Sequence, residues 1–157
     1  MPHKEPGKIR NVAVIGHRGT GKTSLVEALL YESGTINRLG SVAEKTTVTD
    51  HDDDERKRGM SISAAVTHLE WEGRTINLID TPGEASFQAD VLSALRVVEG
   101  AIVAVSGVMG VEVGTERLWR RCDELGISRL VLVNLLGFAG QRMVLDARAA
   151  DEAVRHG

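Results

Sequence analysis

The sequence predicts an α/β fold, with a mostly parallel sheet, one antiparallel strand and helices on both faces. Three observations carry this. Short β-branched runs alternate with amphipathic helical stretches, the mark of a parallel sheet covered by helices. A two-residue Glu72-Gly73 turn sits between two strand-like runs and adds one antiparallel pair. A glycine-rich loop separates the first strand from the first helix, where a layered α/β domain places a ligand.

In chain order, residues 1–8 are polar and contain two prolines, so they read as a flexible N-terminus. Ile9 to Ile15 follows as a buried strand, with Val12, Val14 and Ile15 β-branched. A helix is expected from about Lys22 to Ser33, with Leu25, Ala28 and Leu29 on one face and Gly34 as its stop. Residues 36–60 show no period and carry an acidic and basic run, Asp50 to Arg58. So long an irregular stretch in a compact domain is usually functional or disordered. Strand character returns over Ser61–Trp71, turns at Glu72-Gly73 and continues over Arg74–Ile79. Phe87, Val91, Leu95 and Val98 are spaced for a helix over about 85–98. Ala101–Val105 is a buried strand. Thr115 is the expected cap of a helix to about Leu125, with Leu118, Cys122 and Leu125 inward and Gly126 ending it. Arg129–Val133 is the last strand. Residues 9–136 form the domain. The tail 137–157 turns rich in Ala, Arg, Gly and Asp, and a weak helix over about 143–155 is the most it offers.

Composition narrows the function. Hydrophobic residues make up 42%, enough for a core. The 19 Lys+Arg nearly balance 22 Asp+Glu, so neither direct DNA binding nor a membrane surface is expected of the whole domain. No apolar run approaches the ~20 residues that span a bilayer, and the N-terminus lacks a secretory apolar region. The single cysteine, Cys122, allows no internal disulfide and reads as a small apolar helix residue. A cytoplasmic location follows as the expectation.

The chemistry is concentrated in Gly16-His17-Arg18-Gly19-Thr20-Gly21-Lys22-Thr23, followed by Ser24. Every fixed position of the phosphate-binding pattern G-x-x-x-x-G-K-[ST] is met, with a strand before and a helix after. Glycines let backbone N–H groups turn toward phosphate oxygens. Lys22 supplies positive charge to the β- and γ-phosphates, and Thr23 offers its hydroxyl to Mg²⁺. Asp80, 57 residues beyond Thr23, ends a strand and begins Asp80-Thr81-Pro82-Gly83. A carboxylate there can hold the metal, usually through water, and the Gly83 N–H can sense the γ-phosphate.

These motifs resemble the guanine-nucleotide domain of elongation factor G, the ribosomal translocase, and more closely its elongation factor G-like paralogues. Four stretches carry the resemblance. They are Arg10-Asn11-Val12 leading into the phosphate loop, Tyr31-Glu32-Ser33-Gly34 with Gly40, Asp50 with Glu55-Arg56-Lys57-Arg58-Gly59-Met60-Ser61-Ile62, and Asp80-Thr81-Pro82-Gly83. The third is the most specific, being similar to the first switch of translational GTPases. The resemblance covers about residues 9–134. It implies GTP and GDP as ligands, Mg²⁺ as cofactor, and the ribosome as partner of a full-length factor, with hydrolysis driving a conformational switch in elongation. It also implies a metal-ligating role for Ser61, where the family has threonine.

Two departures stand out. The family's water-orienting histidine after Asp-Thr-Pro-Gly is replaced by Glu84, a carboxylate that can position water but also repels phosphate. The family's Asn-Lys-x-Asp is here Asn134-Leu135-Leu136-Gly137, so the asparagine is kept and the guanine-reading aspartate is not. The shift in composition after Leu136 points to a truncated or frame-shifted product. The expected nucleotide contacts are therefore Gly16, His17, Arg18, Gly19, Thr20, Gly21, Lys22, Thr23, Ser24, Asp80, Gly83 and Asn134. Thr23, Ser61 and Asp80 are the expected metal ligands, and Lys22 and Glu84 the expected catalytic groups. The alternative is a P-loop module that holds nucleotide weakly without appreciable turnover. A P-loop ATPase or kinase fits less well, given the switch-like stretch.

Overall fold

The computed structural model describes residues 5–44, 46–49, 63–84, 88–136 and the backbone of 144–145. The structure confirms the α/β arrangement. After a 3-10 turn at Pro6–Lys8 come β1 (Ile9–Gly16), α1 (Lys22–Glu32), β2 (Ala65–Trp71), β3 (Arg74–Asp80), α2 (Gln88–Leu95), β4 (Gly100–Ser106), α3 (Val113–Glu124), β5 (Ser128–Asn134) and the two-residue β6 (Val144–Leu145). The sheet order is β2-β3-β1-β4-β5-β6. Strands β3, β1, β4 and β5 are parallel, while β2 and the short β6 run antiparallel at the two edges.

The alternation of side chains in β1 shows why the sheet is covered on both sides. Ala13 and Ile15 point into a core with Val91 and Leu95 of α2 and Trp119 and Cys122 of α3. Val14 points the other way, into a core with Leu25, Val26 and Leu30 of α1. Strands buried on both faces read as continuous apolar runs, as β4 and β5 do. The hairpin turn is also as expected: Glu72 and Gly73 both have positive φ, 48° and 74°, the geometry of a type I′ turn. Gly34 takes φ 74° just after α1, and Gly126 takes φ 66° after α3.

Several details differ from expectation. The buried face of α1 is Leu25, Val26 and Leu30, with Ala28 and Leu29 only half-buried. Strand β2 begins at Ala65; Ser63 and Ala64 precede it, and Ser61 and Ile62 lie outside the described residues. Helix α2 ends at Leu95, because Arg96 and Val97 bond back to Ser93 and Ala94 in a tight turn that stops it short of Val98. Residues 85–87, expected to open that helix, lie outside the described residues. Helix α3 starts at Val113 with Glu112 at the cap position, so Thr115 is a buried first-turn residue and not the cap. Trp119 and Cys122 carry its core face, while Leu125 is exposed. Burial pushes the Cys122 thiol pKa up, in keeping with a packing role. The helix expected over 143–155 is contradicted at Val144–Leu145, which pair with Val133 and Leu132 of β5; the rest of that stretch lies outside the described residues.

Candidate functional site

From β1 the sheet grows both ways, to β3 on one side and β4 on the other. Ligands of open α/β sheets bind at the carboxyl ends of the strands, at such a switch point. The loop Gly16–Gly21 leaves β1 there. Gly16 has φ 142°, and a Cβ on it would lie 2.3 Å from the Ala104 carbonyl oxygen of β4. Gly19 and Gly21 have φ 78° and 85°. The loop curls around the His17 carbonyl, which accepts from Lys22 Nζ and Thr20 Oγ1, both at 2.9 Å.

Gly21 starts α1 in the left-handed region and offers no side-chain cap. The first-turn N–H groups and the positive end of the helix are therefore left to an anion. Lys22 is almost fully buried beside them. Burial lowers its pKa from 10.5 to about 8, with Asp80 pulling the other way.

Register places Asp80, the last residue of β3, opposite Val14 of β1, beside the root of the loop. The Thr23 hydroxyl donates to Asp80 Oδ2 at 2.8 Å, and the Asp80 side chain is buried. Hydroxyl and carboxylate oxygens suit a hard cation such as Mg²⁺, so the donor set fits the expected metal. Thr81 locks the next turn by donating its hydroxyl to the Val14 carbonyl at 2.7 Å. Gly83 then lies against the loop: a Cβ on it would fall 2.5 Å from Lys22 Nζ and 2.6 Å from Arg18 N. Glu84 is partly exposed, with Oε2 3.6 Å from Arg18 Nη1.

Asn134 reaches the loop from the end of β5. Its Nδ2 donates to the Thr20 carbonyl at 3.0 Å and its Oδ1 accepts from Leu135 N at 2.9 Å. A Cβ on Gly21 would lie 2.4 Å from that Nδ2. His17 Nδ1 lies 3.0 Å from Glu112 Oε1, and Ser24 is exposed. The structure thus brings together Gly16 through Thr23, Asp80, Gly83, Glu84 and Asn134. Ser61 and the rest of 50–62 lie outside the described residues, as does Gly137.

Two residues of this neighbourhood have no sequence signal in motif form. Glu27, on α1, is wholly buried and accepts from the backbone N–H of Gly40 (3.1 Å) and of Val48. Thr49, also buried, donates its hydroxyl to Asp80 Oδ2 at 3.3 Å. A buried carboxylate is rarely found without such partners. The one available hint is a glutamate next to the inward-facing Val26.

A strand-loop-helix whose helix N-terminus has no side-chain cap, with a hydroxyl and a carboxylate meeting at its foot, has the form of a P-loop nucleotide-binding domain. The chain belongs to the family of the elongation factor Tu GTP binding domain, whose model matches residues 7–145. It is 45% identical over 133 residues to the mitochondrial ribosome-releasing factor 2 of Yarrowia lipolytica, covering 85% of this chain and 17% of that protein. It is 43% identical over 142 residues to elongation factor G 2 of Streptomyces coelicolor, covering 90% and 20%. A crystal structure of a Thermus thermophilus protein superposes with a TM-score of 0.82 at 40% identity, over 94% of this chain and 22% of the other. The chain therefore spans about a fifth of the length of these relatives.

Proposed function

We propose that this chain is the nucleotide-binding portion of a ribosome-associated GTPase of the elongation factor G type. In this reading it binds Mg²⁺ with GTP or GDP, and hydrolysis switches its conformation during elongation. The carrying observation is the Thr23–Asp80 contact at the foot of the phosphate loop, with Gly83 packed onto Arg18 and Lys22. Loop N–H groups and Lys22 would hold the β- and γ-phosphates, and the Gly83 N–H would report the γ-phosphate. Thr23 and Asp80, with Ser61 as the expected third ligand, would hold the cation, which would supply neutralising charge to the phosphate oxygens. Asn134 shapes the loop by holding the Thr20 carbonyl. The ribosome is the expected partner because family relatives are named for elongation and ribosome release. Among the described residues no helix is long and apolar enough to cross a membrane.

Glu84 is the proposed water-positioning group. Its repulsion toward phosphate is partly offset by the Arg18 guanidinium beside it. Both side chains are substantially exposed, so the offset is modest. Single-turnover hydrolysis by the chain alone is expected to be slow, within or below about 10⁻⁴ to 10⁻² s⁻¹, the range of unstimulated GTPases. Glu84→His should change little in the isolated chain. It should accelerate hydrolysis in a factor carrying the remaining domains and supplied with ribosomes. Fast hydrolysis by the isolated chain that survives Glu84→Ala would contradict this assignment.

A further inference from the structure

Glu27 lies one helical turn after Thr23 on α1, so both side chains leave the same face of the helix. Thr23 meets Asp80 directly; Glu27 meets the chain that returns to Asp80 by another route. Its carboxylate, at 0% exposure, is tied to Gly40 N and Val48 N. The fit is tight: a Cβ on Gly40 would lie 2.5 Å from Glu27 Oε2 and 2.6 Å from the Thr46 carbonyl. The next residue after Val48 is Thr49, whose hydroxyl reaches Asp80 Oδ2. Asp80 Oδ2 thus receives two hydroxyls, Thr23 at 2.8 Å and Thr49 at 3.3 Å.

We propose that Glu27 and Thr49 are positioning residues for the metal-holding carboxylate: Glu27 pins Gly40 and Val48, and this sets the Thr49 hydroxyl against Asp80. The inference rests on the reading that Thr23 and Asp80 hold Mg²⁺. When the Thr23 oxygen turns to the cation, the Thr49 hydroxyl still donates to Asp80. The Thr49–Asp80 bond is buried and the Glu27 carboxylate is itself wholly buried, where a hydrogen bond to a charged group is stronger than at the surface. Outer partners of metal-holding groups typically change metal affinity about 10–100-fold when removed. Asp80 would act mainly through water, so the lower end is expected here.

The test uses the 157-residue chain with a fluorescent GDP analogue, measuring analogue dissociation as MgCl₂ is titrated from an EDTA baseline. Thr49→Val should raise the Mg²⁺ midpoint about tenfold while leaving dissociation in EDTA unchanged. Thr49→Ser, which keeps the hydroxyl, should restore the parent midpoint. Glu27→Gln presents an NH₂ where one backbone N–H needs an acceptor. It should raise amide hydrogen exchange at Gly40 and Val48 and shift the midpoint in the same direction, with no further shift when combined with Thr49→Val. If Glu27→Gln does not fold, the two Thr49 variants decide alone. A parent midpoint in Thr49→Val, with GDP binding intact, overturns this inference only. A folded parent that binds no GDP overturns the underlying reading and this inference with it.

Discussion

Lys22→Ala should weaken nucleotide binding by about one to two orders of magnitude while the domain stays folded. The ammonium is the one positive side chain buried in the phosphate loop, hydrogen-bonded to the His17 carbonyl 2.9 Å away. Losing a charge-assisted contact to phosphate costs about 1.5–3 kcal/mol, or roughly 10–150-fold in affinity. The fold should tolerate the change because this charge is disfavoured where it sits. Burial holds its pKa at about 8, against 10.5 in water. Between those values the unfolded chain keeps the proton that the nucleotide-free folded chain gives up. The stability of the nucleotide-free chain should therefore rise with pH across that window, and Lys22→Ala should abolish that component. Nucleotide affinity has the opposite trend. Phosphate favours the charged amine, so binding above pH 8 must take up a proton and should weaken as pH rises. Calorimetry in buffers of different ionisation enthalpy reads that uptake. Equal GDP affinity in Lys22→Ala and parent, or an affinity that climbs steadily as the solution is made more alkaline, would contradict this role.

Gly16→Ala should be the most destabilising single methyl in the loop. Gly16 has φ 142°, and the added carbon would sit 2.3 Å from the Ala104 carbonyl oxygen, a backbone atom held in the β1–β4 ladder. Strain of this kind costs about 1–3 kcal/mol, and forced overpacking about 1–3 more. A domain of this size has about 5–15 kcal/mol in total. The melting temperature should fall by roughly 5–20 °C. Gly19→Ala supplies the contrast. It shares the positive φ, 78°, yet nothing lies within 4 Å of its Cβ, so it should lose only the conformational part. Equal melting temperatures for the two variants would mean that the close approach to Ala104 is not limiting.

Much of this architecture is legible in the sequence because its signals are local. The β-branched runs of β1, β4 and β5, the Glu72-Gly73 turn, Gly34 and Gly126 each state their conformation within a few residues. The phosphate loop is legible for the same reason: only glycine suits the angles at positions 16, 19 and 21. What the sequence hides depends on distant chain. The inward face of α1 is set by Leu69 and Leu78 across the sheet, which favour Leu25, Val26 and Leu30 over Ala28 and Leu29. Glu27 looks like an ordinary helix glutamate until Gly40 and Val48 are seen to donate to it. Thr49 is one threonine among several until β3 brings Asp80 beside it. The start of α3 misleads because Thr115 is a favoured cap type, yet tertiary packing buries it inside the first turn of the helix. Asn134, expected at the nucleotide, holds the phosphate loop to β5.

We propose that this chain grips the phosphates of a nucleotide through its loop and reads the base only weakly, on the expectation from the sequence that Gly137 replaces the family's aspartate. A side-by-side titration of GTP, GDP and ATP into the parent chain, with and without Mg²⁺, tests it most directly. Binding of all three, strengthened by Mg²⁺ and with only weak preference for guanine, is the predicted result. A folded chain that binds none of them would contradict the phosphate site, and a guanine preference of about a thousandfold would show that another residue reads the base.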